Sequence, residues 1–255
     1  MIEVLTDTDA LKITFERGTP DAAEAIVSFT GILHRLGGIE TGEFARSIRN
    51  LDQTRDVYYV TDKTRSWYNS TYEEILATLM NHIGDRRVVV LGNSMGGFGA
   101  LLLHTAIGRC NRAIAFVPQF SIHPDIAAFE NRWLNFSSEI TNWSHPTCVN
   151  GAEPWCEKQQ YIFFGKQDVM DMQQLRLMTP YISYNSHVFL LAHCGHNVAQ
   201  YIKSFGFLHS VLEEAISSDN AAARIANILG DAEIEFSYAN KSNIDELREN
   251  LPVIR

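Results

Sequence analysis

Ser94 sits at the centre of Gly92-Asn93-Ser94-Met95-Gly96, with the apolar run Val88 to Leu91 before it and a small-residue stretch after it. A serine hydroxyl can be presented for attack at the tip of a sharp strand-to-helix turn. Small residues two positions to either side then let strand and helix pack around it. Both of those neighbours are glycine here. Gly97 and Gly99 let a helix from Phe98 to Thr105 lie close against a sheet, and Met95 offers its backbone N–H beside the hydroxyl as an oxyanion donor. A glycine turn that cradles phosphate is the competing reading. The chain contains no Gly-x-x-x-x-Gly-Lys-Ser/Thr, and Gly97-Phe98-Gly99 lacks the third glycine of a dinucleotide site. Ser94 is the candidate nucleophile.

A hydroxyl is a weak nucleophile at neutral pH, so a base and a group that orients the base are required. Two later segments supply them. Gly165-Lys166-Gln167-Asp168 follows the apolar run Tyr161 to Phe164, and Ala192-His193-Cys194-Gly195-His196-Asn197 follows Val188 to Leu191. Each sits at the C-terminal end of an expected strand, the edge an elbow would share in an open α/β sheet. The order is serine, acid, histidine. Asp168 has Asp171 as a rival and an N-cap before a helix from Met170 to Met178 as its structural alternative. His196 has His193 as competitor. His34, His104 and His145 show no partner pattern.

The elements that must carry these groups are legible as apolar runs: Leu11 to Phe15, Ala25 to Phe29, Val57 to Thr61, Val88 to Leu91, Ala113 to Val117, Tyr161 to Phe164 and Val188 to Leu191. Continuous runs suit strands covered on both faces, so the expected fold is α/β, a doubly wound, mostly parallel sheet. Thr71 to Ile83 reads as an intervening helix, opened by the capping box Ser70-x-x-Glu73 and closed by Gly84. The segment at about 120 to 158 is long and rich in aromatics (Phe120, Phe129, Trp133, Phe136, Trp143, Trp155), and reads as a small cap over a pocket. A helix from Asn197 to about Ile216, another from about Asn220 to Leu229 ended by Gly230, and a shorter one after Ser242 follow. They read as scaffold or an oligomer contact.

Composition narrows the class. The 255 residues suit one α/β domain, and 21 Lys and Arg against 30 Asp and Glu give a net charge of -9. That balance disfavours nucleic acid, whose binding rests on clustered cations. No segment is long and apolar enough to span a membrane, and Met1 to Asp7 lacks the basic and apolar regions of a secretory signal. Cys110, Cys148, Cys156 and Cys194 show no metal-like grouping, so no metal is expected and reduced thiols in a cytoplasmic protein are the expectation. Cys148 and Cys156 are the one pair placed to form a local disulfide in an oxidising compartment.

In its Gly-x-Ser-x-Gly elbow, its Gly-x-x-Asp after a strand and its Gly-His after the last strand, the sequence resembles the α/β-hydrolase superfamily over residues about 11 to 210. The resemblance implies a triad of Ser94, Asp168 and His196, and a second oxyanion N–H from Gly31 or Ile32 in the loop after Ala25 to Phe29. Thr30-Gly31-Ile32 departs from the His-Gly motif of many lipases and esterases. Ser28-Phe29-Thr30-Gly31, Trp67-Tyr68, Asn93 to Gly97 and Pro118-Gln119 together resemble a bacterial branch of hydrolases linked to glycan loci. By their positions, Gln119 just beyond the strand ending at Val117, Trp67 and Tyr68 in the loop after Thr61, and His193 are candidate substrate contacts, with packing the alternative for the aromatic pair and a local hydrogen bond for His193. The implied activity is cleavage of a carboxylic ester, for instance a short acyl group on a carbohydrate, without a cofactor. Acyl transfer by the same triad and an inactive binding protein on the same fold are the alternatives.

Overall fold

The computed structural model describes residues 2–32, 35–36, 39–40, 42, 44–51, 54–149 and 158–252. Its main sheet has nine strands in the order β1-β2-β6-β3-β7-β8-β9-β10-β11. The inner six, β6 (Asp56–Asp62), β3 (Glu24–Phe29), β7 (Arg87–Asn93), β8 (Cys110–Phe116), β9 (Gln159–Gly165) and β10 (Ser186–Leu191), run parallel. Antiparallel strands finish both edges: β1 (Ile2–Asp7) and β2 (Leu11–Glu16) on one, β11 (Phe236–Ala239) on the other. A two-stranded ribbon, β4 (Arg35–Leu36) with β5 (Ile39–Glu40), stands apart.

Burial explains which strands lie where. Every residue of β3 is buried, as required of a strand covered on both faces, while β2 alternates buried and half-buried positions. From β3 the chain crosses to β6 on one side and then to β7 on the other. That reversal is a topological switch point, where loops diverge beyond the strand ends and leave a crevice. The loop after β3 and the turn after β7 both open there.

The helices are α1 (Ala45–Leu51), α2 (Tyr72–Ile83), α3 (Met95–Ala106), α4 (Leu134–Ser137), α5 (Val169–Met178), α6 (Val198–Ser204), α7 (Leu208–Ser217), α8 (Ala221–Asp231) and α9 (Ile244–Asn250). Buried from Met95 to His104, α3 packs on β3, β7 and β8. The fit depends on Gly96, where a Cβ would stand 2.2 Å from the Phe29 carbonyl oxygen.

Several sequence expectations need correction. The capping box before α2 does not form. Thr71 and not Ser70 is the N-cap, and it makes no side-chain cap bond, while Ser70 Oγ donates to Ser66 Oγ at 2.8 Å. Gly84 does close α2, at φ 64°. The single helix expected from Asn197 breaks into α6 and α7 at Gly206, whose φ of 87° is left-handed. Gly230 lies inside α8, and Glu233 takes the left-handed position beyond it. β1, β4, β5 and β11 were not expected. The described part of the aromatic segment, to residue 149, is irregular apart from α4 and a few turns. Trp155, Cys156 and His34 lie outside the described residues, and with Cys156 the expected disulfide. Cys110, Cys148 and Cys194 are free and buried.

Candidate active site

Ser94 caps α3 at φ 57° and ψ -120°, a conformation that non-glycine residues rarely hold, and it is 4% exposed. β7 enters the turn and α3 leaves it, so the hydroxyl projects at the strand tip. Its Oγ lies 2.9 Å from His196 Nε2. His196 follows β10 in the turn before α6, and its Nδ1 lies 2.8 and 2.9 Å from the two carboxylate oxygens of Asp171. The end of β9 approaches that turn closely, since a Cβ on Gly165 would be 2.2 Å from the Gly195 carbonyl oxygen.

The carboxylate against His196 therefore belongs to Asp171 and not to Asp168, which corrects the expected acid. Asp168 is the N-cap of α5 and its Oδ1 accepts from the Asp171 N–H at 3.0 Å. An N-cap side chain must fold back onto the first turn. Asp171 stands in that first turn and is 1% exposed.

Arg132, from the irregular segment after β8, was not expected at the site at all. Its Nη1 donates to Asp171 Oδ1 at 2.8 Å and to Asp168 Oδ2 at 3.0 Å, and lies 3.4 Å from His196 Nδ1. Nε and Nη2 grip the two oxygens of buried Glu130 at 2.8 and 2.6 Å. Burial alone would lower the Arg132 pKa, but the Glu130 hydrogen bond and the Asp171 and Glu130 charges outweigh it and hold it above its ordinary range. Asp168, Asp171 and His196 bring potential ligand atoms within 4.8 Å of one another, and the guanidinium already supplies this cluster with a cation. Burial, with a smaller push from the Asp171 charge, raises the Cys194 thiol pKa to about 11.

Gln119 is fully buried, and its Nε2 donates to Ser94 Oγ at 3.2 Å. The amide has one orientation available, because Trp67 Nε1 can only donate and reaches Gln119 Oε1 at 3.1 Å. The approach to Gln119 is strained. Val117 holds φ 42°, an outlier for a β-branched residue, and Gln174 Oε1 braces the far side by accepting from the N–H groups of Phe120 and Ser121.

The Trp67-Tyr68 pair is buried with 0% exposure, so these rings are walls and braces and not a surface open to substrate. His193 is likewise misplaced for a substrate contact. It is exposed, and its Nε2 pairs with Glu235 at 3.0 Å. Met95 begins α3, so its N–H has no carbonyl a turn earlier within the helix and is presented beside Ser94. Across the switch point, the loop of Gly31 and Ile32 is pinned at two carbonyls. Tyr68 Oη donates to Thr30 O at 2.8 Å and Arg65 Nε to Ile32 O at 3.1 Å.

Arg65, Trp67 and Tyr68 all have positive φ, and buried Asp62 makes that turn tenable. Its carboxylate accepts from the N–H and hydroxyl of both Thr64 and Ser66 and from the Tyr68 N–H, at 2.7 to 3.0 Å. Asp62→Ala is expected to lower stability by about 3 kcal/mol or more, because it strands buried donors and releases a strained turn. Urea unfolding of the variant measures it.

No protein-family model and no curated protein matches the sequence. Solved structures do resemble the fold. The mouse alpha/beta hydrolase domain-containing protein 10 superposes with a TM-score of 0.59 at 11% identity, covering 85% of this chain and 98% of that one. A putative esterase from Staphylococcus aureus gives 0.56 at 15% identity, covering 86% and 84%. The capsule O-acetyltransferase of Neisseria meningitidis serogroup A gives 0.55 at 15% identity, covering 80% and 92%. In architecture, then, the chain has the α/β-hydrolase fold.

Proposed function

We propose that the protein is a serine hydrolase that cleaves a carboxylic ester through an acyl-enzyme. One observation carries the reading: an unbroken relay from Ser94 Oγ through His196 to Asp171, with contacts of 2.9 and 2.8 Å, built on a strained turn at the switch point. In this reading Ser94 Oγ attacks the carbonyl carbon while its proton passes to His196 Nε2. The N–H of Met95, with that of Gly31 or Ile32, meets the developing oxyanion. The bond to the leaving alcohol then breaks, and the alcohol departs with the proton from His196. Water gives a proton to His196 and attacks the acyl carbonyl; the bond to Ser94 Oγ then breaks, the acid leaves, and Oγ takes the proton back from His196, which restores both groups. Asp171 orients the imidazole and stabilises its protonated form. A short acyl group carried on a sugar is the ester class proposed. Transfer to an acceptor other than water uses the same groups, and a capsule O-acetyltransferase shares the fold.

Purified protein treated with a fluorophosphonate tests the reading. One adduct at Ser94 is expected by mass spectrometry, absent from Ser94→Ala, together with turnover of 4-nitrophenyl acetate. A folded protein that takes no adduct would refute the reading. An alcohol acceptor that diverts acyl product from acid to ester would favour transfer.

A further inference from the structure

We propose that Arg132 is a positioning residue of this relay. Its guanidinium separates the charges of Asp168 and Asp171, keeps Asp171 aimed at His196, and sets the pH range in which His196 can take the serine proton. The proposal rests on the hydrolase reading above.

Two carboxylates one helical turn apart face the same imidazole, and like charges that close repel or share a proton. Either outcome would spoil Asp171 as the partner of His196. Arg132 Nη1 bridges the two carboxylates, and the opposite edge of the same guanidinium is fixed by both oxygens of Glu130. Glu130 is held in turn by Gln174 Nε2 at 3.0 Å. A planar fork is needed to serve three carboxylates at once, which a lysine ammonium on its flexible stem does not reproduce. The guanidinium carbon also lies 5.7 Å from the Trp133 ring centroid, and that ring stands 5.9 Å from the His196 ring.

The charged and titratable groups of this cluster come from three pieces of chain. Asp168 and Asp171 lie at the start of α5, Glu130 and Arg132 in the segment after β8, and Cys194 beside His196 carries an un-ionised thiol at neutral pH. Three carboxylates and one guanidinium sum to -2. Without the guanidinium the sum becomes -3, which favours the imidazolium and withholds the free base until higher pH. Without the Asp168 charge the sum becomes -1, and the change has the opposite sign.

The test is the rate of fluorophosphonate labelling of Ser94 against pH in wild type, Arg132→Gln, Asp168→Asn and the double variant. The acid limb is expected to move up by about one pH unit in Arg132→Gln and down by a similar amount in Asp168→Asn. In the double variant it should return towards wild type. A purely structural role for Arg132 would not be offset by removing a carboxylate. Asn retains the N-cap of α5 and removes one of the two charges that Arg132 separates, so the double variant compared with Asp168→Asn carries the test if Arg132→Gln alone fails to fold. An acid limb about one pH unit above that of Asp168→Asn is then expected, and coincident limbs would overturn the proposal. Limbs that coincide with wild type in the folded variants would overturn the proposal. Wild type that does not label at Ser94 would instead refute the hydrolase reading.

Discussion

Ser94→Ala and His196→Ala are each expected to slow ester turnover by about 10⁶-fold, and Asp171→Asn by about 10⁴-fold, while Asp168→Asn stays within about tenfold at its pH plateau. The ranking follows from the relay. In the proposed mechanism Ser94 forms the covalent bond and His196 moves the proton, so loss of either stops the same step, and their double variant should be little worse than either alone. Asp171 acts one bond further away. Asparagine in its place can present an N–H to Nδ1 and trap the wrong tautomer, leaving Nε2 protonated and unable to take the serine proton. Asp168 touches neither Ser94 nor His196 in any hydrogen bond among the described residues; its carboxylate caps α5 and meets Arg132. Steady-state kinetics on one ester across the four variants decides the matter. Equal losses in Asp168→Asn and Asp171→Asn would remove the distinction between the two carboxylates.

That distinction marks the point where sequence stops being sufficient. Ser94 is legible because it sits in a short run whose glycines an elbow demands locally, and His196 because a Gly-His pair follows the apolar run of a strand; the close approach of the two turns demands Gly165 rather than Gly195. The choice between Asp168 and Asp171 depends on helix phase. The spacing Asp168-x-x-Asp171 is that of an N-cap and its third helical residue, which does hint that the first carboxylate is engaged by backbone. Arg132 left no such trace, because its partners lie 36, 39 and 64 residues away and meet it only through tertiary packing. The central strands were legible as continuous apolar runs. β1 and β11 were not, since exposed or half-buried edge strands lack that signal. Trp67 and Tyr68 read as packing or as a ligand contact, and nothing in their own sequence decides between the two, because it does not reveal that Asp62 folds the turn inward.

Gln119→Leu is expected to lower the rate of Ser94 acylation by about 10²-fold, the scale on which one preorganised donor at a charge-developing oxygen acts. Gln119 Nε2 lies 3.2 Å from Ser94 Oγ, and in the proposed mechanism it donates a hydrogen bond to that oxygen as the serine proton leaves for His196. Leucine fills a similar volume and offers no donor. Trp67→Phe tests the orienting half of the arrangement, since removing the indole N–H frees the Gln119 amide to turn its oxygen towards Ser94. A smaller loss than in Gln119→Leu is expected. The double variant should match Gln119→Leu alone, because the indole acts only through the amide. Pre-steady-state acylation by an activated ester gives all three rates. Losses that multiply in the double variant would mean that Trp67 shapes the site independently of Gln119. An unchanged rate in Gln119→Leu would show that the strain at Val117 and the bracing by Gln174 hold this loop for a purpose other than serving Ser94.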